Sequence, residues 1–195
     1  MRTKLGRQLL AVAPLAALMV SSLLNISLAT RLSAVESKAK LGLKPGAAAP
    51  DLQRVNGAAK TAQFISVRGS RALVYHFSAK CGWCERNWPN MEALHRKMTG
   101  RLRVIGVSID VLPPDFAESR GITFELVDGL SIETVDKWQL GATPQSLLVD
   151  SSGKITETWF GAYSGPVAAN VRRLFGVDLP GLASVRSGPP RTQLR

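Results

Sequence analysis

A layered α/β fold on a mixed sheet is what this chain of 195 residues predicts. Apolar, strand-like runs alternate with segments of helical period through its middle. The only two cysteines, Cys81 and Cys84, stand where one such run gives way to a helix. Farther on, a Ser-Ser-Gly-Lys turn at residues 151–154 separates two runs that read as a hairpin.

The elements follow in order. Residues 72–78 (ALVYHFS) are the first strand. Residues 84–98 are a helix, because Trp88, Met91, Leu94 and Met98 recur at three- and four-residue spacing and make one apolar face. Residues 102–109 (LRVIGVSI) are a second strand, 115–120 a short helix and 122–127 a third strand. Residues 131–139 read as a helix ended by Gly141. Residues 146–150 and 155–160 are the hairpin strands. Residues 167–175 are a closing helix, with Gly176 placed to end it. The order β-α-β-α-β-α-β-β-α gives the mixed sheet flanked by helices, and no internal repeat interrupts it.

Charge is concentrated at the ends. The chain has a net charge of +11. Residues 1–44 carry +6 and residues 181–195 carry +3, which leaves +2 for residues 45–180. A nucleic-acid surface would need the basic side chains on the folded part, so nucleic acid is not an expected partner. The apolar fraction of 45% is enough for a core. The length suits one domain of about 130 to 150 residues with extensions.

The N-terminus reads as a membrane segment. Arg2, Lys4 and Arg7 precede an uncharged run over residues 9–28. Its 20 residues span about 30 Å as a helix, one hydrocarbon thickness. A cleaved signal has an apolar region of roughly 7–15 residues, so the longer run favours an uncleaved anchor. Pro14 does not exclude a span. Ser27-Leu28-Ala29 is a passable cleavage site, and the alternative is a soluble exported protein cut near Ala29. Flanking charge barely orients the span, because Arg31, Lys38, Lys40 and Lys44 follow it. The organisation expected is a signal-anchor or signal peptide over 1–29 and a stalk over 30–45. A folded domain over 46–178 and a flexible basic tail over 179–195 complete it.

The cysteine pair admits three readings. As a staple it is weak, since closing a four-residue loop is worth only about 2 kcal/mol against about 3 for a 15-residue loop. As a zinc site it lacks ligands, because zinc takes four. Besides the pair the chain offers only His76, mid-strand, and His95, expected on the helix surface beside Leu94. Reversible redox chemistry fits best, with no metal and no cofactor beyond the redox-active disulfide. A helix N-terminus stabilises a thiolate. Cys81 at the tip is then the expected nucleophile, and Cys84, one turn on and facing inward, the expected resolving thiol.

Further motifs carry a resemblance. Gly46-Ala47-Ala48-Ala49-Pro50-Asp51-Leu52 is of the form G-x-x-A-P-D-[FL]. Cys81-Gly82-Trp83-Cys84 is a C-x-x-C, and Pro89 follows Cys84 by five residues. Val104-Ile105-Gly106-Val107-Ser108 supplies the next strand, and Gly141-Ala142-Thr143-Pro144 leads into Leu147-Leu148-Val149-Asp150 and the D-x-x-G turn. In that order and spacing the chain resembles the thioredoxin superfamily over residues 46–175. Within it, the chain resembles the exported, membrane-tethered TlpA/ResA-like thiol-disulfide oxidoreductases with a redoxin domain. The resemblance implies a thioredoxin-like fold and a cis Thr143–Pro144 bond beside the dithiol. Thr143 and Pro144 would then bind an extended substrate. Trp83, where the family usually has proline, either offers that substrate an aromatic surface or covers the helix end. It also implies an exported protein with a disulfide or cysteine pair as substrate, reduction as the usual direction, cytochrome c maturation as a setting, and a membrane thiol transporter as electron donor. The domain would face the periplasm or extracytoplasmic space.

Departures from the pattern lie around the pair. Lys80 replaces the tryptophan usual before the first cysteine, and its ammonium would favour a Cys81 thiolate. Asn87 stands where ResA-like members often carry glutamate, and Tyr75 where thioredoxins carry a buried aspartate. Neither expected carboxylate is present to relay the Cys84 proton, and Glu85 on the first helical turn is expected to be exposed. Lys80, Gly82, Asn87 and Pro89 are the residues expected to modulate the pair. Rival functions remain. An exported oxidant would run the same chemistry backwards. A copper chaperone would use C-x-x-x-C with a distal histidine, and no histidine follows His95. A peroxidase would need T-x-x-C, where the chain has Ser78-Ala79-Lys80-Cys81.

Overall fold

The computed structural model describes residues 18–30, 42–55 and 62–184. The chain divides into a unit that ends at Leu41 and one that begins at Gly42. In the first, residues 18–30 form a helix, α1, with exposed apolar side chains such as Leu23 and Ile26. No helix among the described residues is long and apolar enough to cross a membrane. The apolar run read from the sequence begins at Leu9, and its residues 9–17 lie outside the described residues.

The second unit is built on β3 (Ala72–His76), every residue of which is buried. β3 pairs in parallel with β4 (Arg103–Val107) and antiparallel with β6 (Gln145–Val149). β5 (Glu125–Val127) extends the sheet beyond β4, and β7 (Ile155–Phe160) beyond β6. The five-stranded order is β5-β4-β3-β6-β7, the mixed sheet that the sequence predicts. A central strand covered on both faces reads as a continuous apolar run, as ALVYH does. Its alternate side chains serve two cores. Leu73, Tyr75 and Phe77 pack with α2 (Gly82–Lys97), through Cys84, Trp88, Met91 and Leu94, and with α4 (Gly165–Phe175). Ala72 and Val74 pack on the opposite face with Leu52, Trp138 and Ile155.

Several elements differ from the sequence reading. A separate antiparallel hairpin, β1 (Leu52–Val55) with β2 (Ala62–Ile65), was not legible. Its four-residue strands bury only Leu52 and show no clean alternation. The helix expected over 115–120 is only a 3-10 turn at Glu118–Arg120, closed by Gly121 in the left-handed region. β5 is three residues long, because only Glu125–Val127 finds partners on β4, while Ile122 and Phe124 fill the core. α3 (Ile132–Lys137) is capped by Ser131, whose hydroxyl accepts the Thr134 N–H at 3.1 Å. Gln139, not Gly141, takes the left-handed conformation after it, with φ of 51°. His95 is half-buried with its ring against Phe124, at 6.1 Å between centroids, where an exposed helix face was expected.

The expected tail from residue 179 begins inside the fold. Leu179 is buried, the Gly181 N–H donates to Asn90 Oδ1 at 2.9 Å, and the Ala183 N–H donates to the Arg86 carbonyl at 2.8 Å. Pro89 has no N–H to give to the carbonyl one turn back, so α2 lacks one ladder hydrogen bond within the stretch, Arg86 to Asn90, that this C-terminal strap bonds to. Residues 185–195 lie outside the described residues.

His76 gives the fold a pH response. It is 1% exposed, and neither ring nitrogen has a hydrogen-bond partner. Burial lowers its pKa from 6.5 to about 4, with the Asp110 charge opposing that shift. Between those values the unfolded chain binds the proton and the folded chain does not, so stability falls as pH drops through that window. The expected loss from pH 7 to pH 4 is up to about 3 kcal/mol. It is measured as urea midpoints of the wild type against His76→Phe. Equal pH slopes for the two proteins would refute this account.

Candidate active site

α2 begins on the cysteine pair. Cys81 is its N-cap, in extended conformation, and its sulfur accepts the Cys84 N–H at 3.2 Å. The Cys81 carbonyl takes the Glu85 N–H at 3.1 Å, closing the first turn. Cys81 and Cys84 are joined by a disulfide, with Cα atoms 5.2 Å apart. The structure is therefore the oxidised form. Cys84 is 0% exposed within the core, while Cys81 is half-buried at the rim. One sulfur is presented and the other withheld. The N–H already aimed at the Cys81 sulfur, with the positive end of the helix dipole, favours negative charge on that atom after reduction.

Strand register brings the second part of the site to the same place. His76 pairs with Gln145, so the loop leaving β3 and the segment entering β6 share one end of the sheet. The Thr143–Pro144 bond is cis. Cys81 Sγ lies 3.6 Å from the Thr143 carbonyl oxygen, in position for a thiol–carbonyl hydrogen bond in the reduced state. Pro144 is buried, and its own carbonyl accepts the Gly161 N–H at 2.8 Å. Thr143 is half-buried.

The residues around the pair divide into a surface and a buried group. Lys80, Gly82, Trp83 and Glu85 are exposed. A side chain built at Gly82 would meet nothing within 4 Å, so sterics do not require glycine there. Trp83 is 56% exposed, with the Arg86 guanidinium over its ring at 4.7 Å. Pro89 is half-buried inside α2. Asp110, which sequence reasoning passed over, accepts the Ser78 hydroxyl at 2.9 Å, and Ser78 in turn accepts the Lys80 N–H at 3.2 Å. These bonds fix the loop that carries Cys81.

Asn87 belongs to the buried group. Its Oδ1 accepts the Tyr163 N–H and an Asn90 amide proton, each at 2.9 Å, and its Nδ2 donates to the Tyr75 hydroxyl at 3.3 Å. Tyr163 donates to Ser146 Oγ at 2.9 Å. Burial holds both phenols far above their usual range, with the bonds from Asn87 and to Ser146 opposing it. Both are therefore neutral at physiological pH. The positions where carboxylates were sought form a neutral amide–phenol network instead. The one buried acid of α2, Glu92, is held by the Thr123 N–H at 2.7 Å and the Thr123 hydroxyl at 2.8 Å. Sequence reasoning missed Asn90; its three-residue spacing from Asn87 on one helix face was the signal that could have found it. Tyr163, in a loop after β7, carried no such signal. Among the described residues, no group of three or more His, Cys, Asp or Glu side chains is placed to hold a metal.

Comparison with known proteins places this geometry. The model of the AhpC/TSA family matches residues 45–158. The thiol-disulfide oxidoreductase ResA of Geobacillus thermodenitrificans is 25% identical over 120 residues, which is 60% of this chain and 69% of that protein. ResA of Geobacillus kaustophilus is 24% identical over 122 residues, 60% of this chain and 70% of that protein. Among solved structures, a putative thiol:disulfide interchange protein DsbE from Chlorobium tepidum superimposes with a TM-score of 0.56 at 21% identity. That match covers 68% of this chain and 94% of the other. The thioredoxin domain of a Bacteroides vulgatus thiol-disulfide oxidoreductase gives 0.54 at 20% identity, over 68% and 99%. The fold is thioredoxin-like.

Proposed function

Because this chain belongs to the AhpC/TSA family and is a thiol-disulfide oxidoreductase with an active-site cysteine pair, we propose that it reduces disulfides of exported proteins. Cys81 is the nucleophile and Cys84 the resolving thiol. The carrying observation is the contrast between a half-buried Cys81 sulfur at the N-cap, 3.6 Å from the Thr143 carbonyl, and a Cys84 with no exposure. The Cys81 thiolate attacks one sulfur of the substrate disulfide, whose S–S bond breaks and releases the other sulfur as a thiolate. Cys84 gives up its proton to the released substrate thiolate and attacks the Cys81 sulfur. The mixed disulfide breaks, and two electrons have passed from dithiol to substrate. The Thr143 backbone and the Trp83 ring hold the extended substrate strand.

Apocytochrome c, or another protein with cysteines destined for a metal group, fits as substrate. A membrane thiol transporter returns the electrons. The basic N-terminus and the apolar run at residues 9–28 tether the domain to the membrane, facing the periplasm or extracytoplasmic space. Cleavage near Ala29 is the alternative. Direction rests on the reduction potential of the purified protein, measured by equilibration with glutathione. A value well below about −220 mV is expected. A value near −120 mV would make the protein an exported oxidant.

A further inference from the structure

We propose that a cleft beside the dithiol recognises a carboxylate side chain close to the reacting cysteine of the polypeptide substrate. This rests on the exchange reaction proposed above and adds its selectivity. A cavity of about 350 Å³ opens beside the first turns of α2. Trp83, Trp88 and Pro89 give it apolar walls, and Arg86, Arg120 and Ala183 also line it. It is large enough for one or two side chains of an extended strand and too small for a folded partner.

Its charge is not neutralised from within. The Arg86 guanidinium lies on the Trp83 ring at 4.7 Å, and that of Arg120 on the Phe116 ring at 4.1 Å. Stacking occupies the faces of a guanidinium and leaves its N–H edges for acceptors. Arg86 uses Nε on the Ala183 carbonyl at 3.0 Å, and Arg120 uses Nη1 on Ser119 Oγ at 3.0 Å. The ion pairs among the described residues are Arg54–Asp128, Arg103–Glu125 and Lys137–Glu133, so neither cleft arginine has a carboxylate partner. Glu85 is the single acid lining the cleft, against two guanidiniums. A carboxylate on a short apolar stem complements this lining.

Position relative to the chemistry sets the register. Gly82 and Trp83, the two residues after Cys81, form the near edge of the cleft. Consecutive Cα atoms are about 3.8 Å apart, so two or three residues of extended substrate reach from the Cys81 sulfur into it. The recognised Asp or Glu therefore lies two or three residues from the substrate cysteine.

The test uses the full chain in its reduced form and peptides closed by an internal disulfide. Glu, Gln or Lys stands two or three residues from the reacting cysteine. Second-order rate constants are read by stopped flow. The Glu peptide is expected to react about tenfold faster than the Lys peptide at low salt, and the ratio to shrink as ionic strength rises. Within the Arg86→Gln/Arg120→Gln variant the Glu/Lys ratio is expected to fall below about threefold. Because Arg86 also ties the strap, Arg120→Gln alone is the second variant, with an intermediate ratio expected. Equal rates for the Glu and Lys peptides on the wild type, or an unchanged ratio in Arg120→Gln, would overturn the proposal. Uncharged hydroxyethyl disulfide separates the two readings. If the reduced wild type does not react with it, exchange itself fails; reaction without peptide discrimination sinks only the cleft.

Discussion

Replacing Cys84 by serine is expected to leave the protein covalently attached to its substrate. The Cys81 thiolate still attacks, but no second sulfur follows, so the mixed disulfide persists. Incubating reduced Cys84→Ser with disulfide-bonded protein substrates and resolving the products without reductant should show new bands that collapse on reduction. Cys81→Ser should show none, because Cys84 is fully buried and cannot meet a protein disulfide. Turnover should fall by several orders of magnitude in both variants. Trapping through Cys84 in Cys81→Ser would reverse the assigned roles.

The second large effect is on stability. Asn87→Leu keeps the branched shape of the side chain and removes both ends of the amide. The buried Tyr163 N–H loses its acceptor, and the Tyr75 hydroxyl loses its donor. Each stranded buried group costs about 1–3 kcal/mol, so the expected loss is about 3 kcal/mol. That is a large share of the roughly 5–15 kcal/mol that holds a domain together. It should appear as a lower urea midpoint at unchanged slope. Trp83→Ala, at an exposed site, should shift stability by less than about 0.5 kcal/mol. A loss below about 1 kcal/mol for Asn87→Leu would mean that the network carries little of the fold.

What was legible in the sequence follows the strength of local signals. β3 and α2 declare themselves because one is an unbroken apolar run and the other a stripe at helical spacing. The dithiol could be placed at their junction, and Thr143–Pro144 beside it through the resemblance. The β1–β2 hairpin was not legible, since Gln53 and Arg54 or Ala62 and Gln63 present no buried face to count. Asn87 was visible only as a missing acid. That it accepts from Tyr163 depends on a contact 76 residues away in sequence, which no local pattern encodes. Leu179 and Ala183 were hidden for a related reason: a strap with single anchors has no period. Arg86 and Arg120 look like surface charges until the fold brings them to one cleft.

The pairing of His76 with Gln145 has a consequence for how such a chain tolerates insertions and deletions. A residue added in the turn at 151–154 lengthens a loop at the opposite end of the sheet, away from the cysteines. A residue added within β6 shifts whatever precedes it by about 3.4 Å and reverses the faces of its side chains. Thr143 would then lose its place beside Cys81, and buried side chains of β6 would exchange cores. β6 and β7 already absorb one irregularity, at Leu148/Val149, and it sits at the end of the strand far from the cis bond. Length change is thus permitted by distance from one sheet end: tolerated in the turn at 151–154 and damaging beside the cis bond.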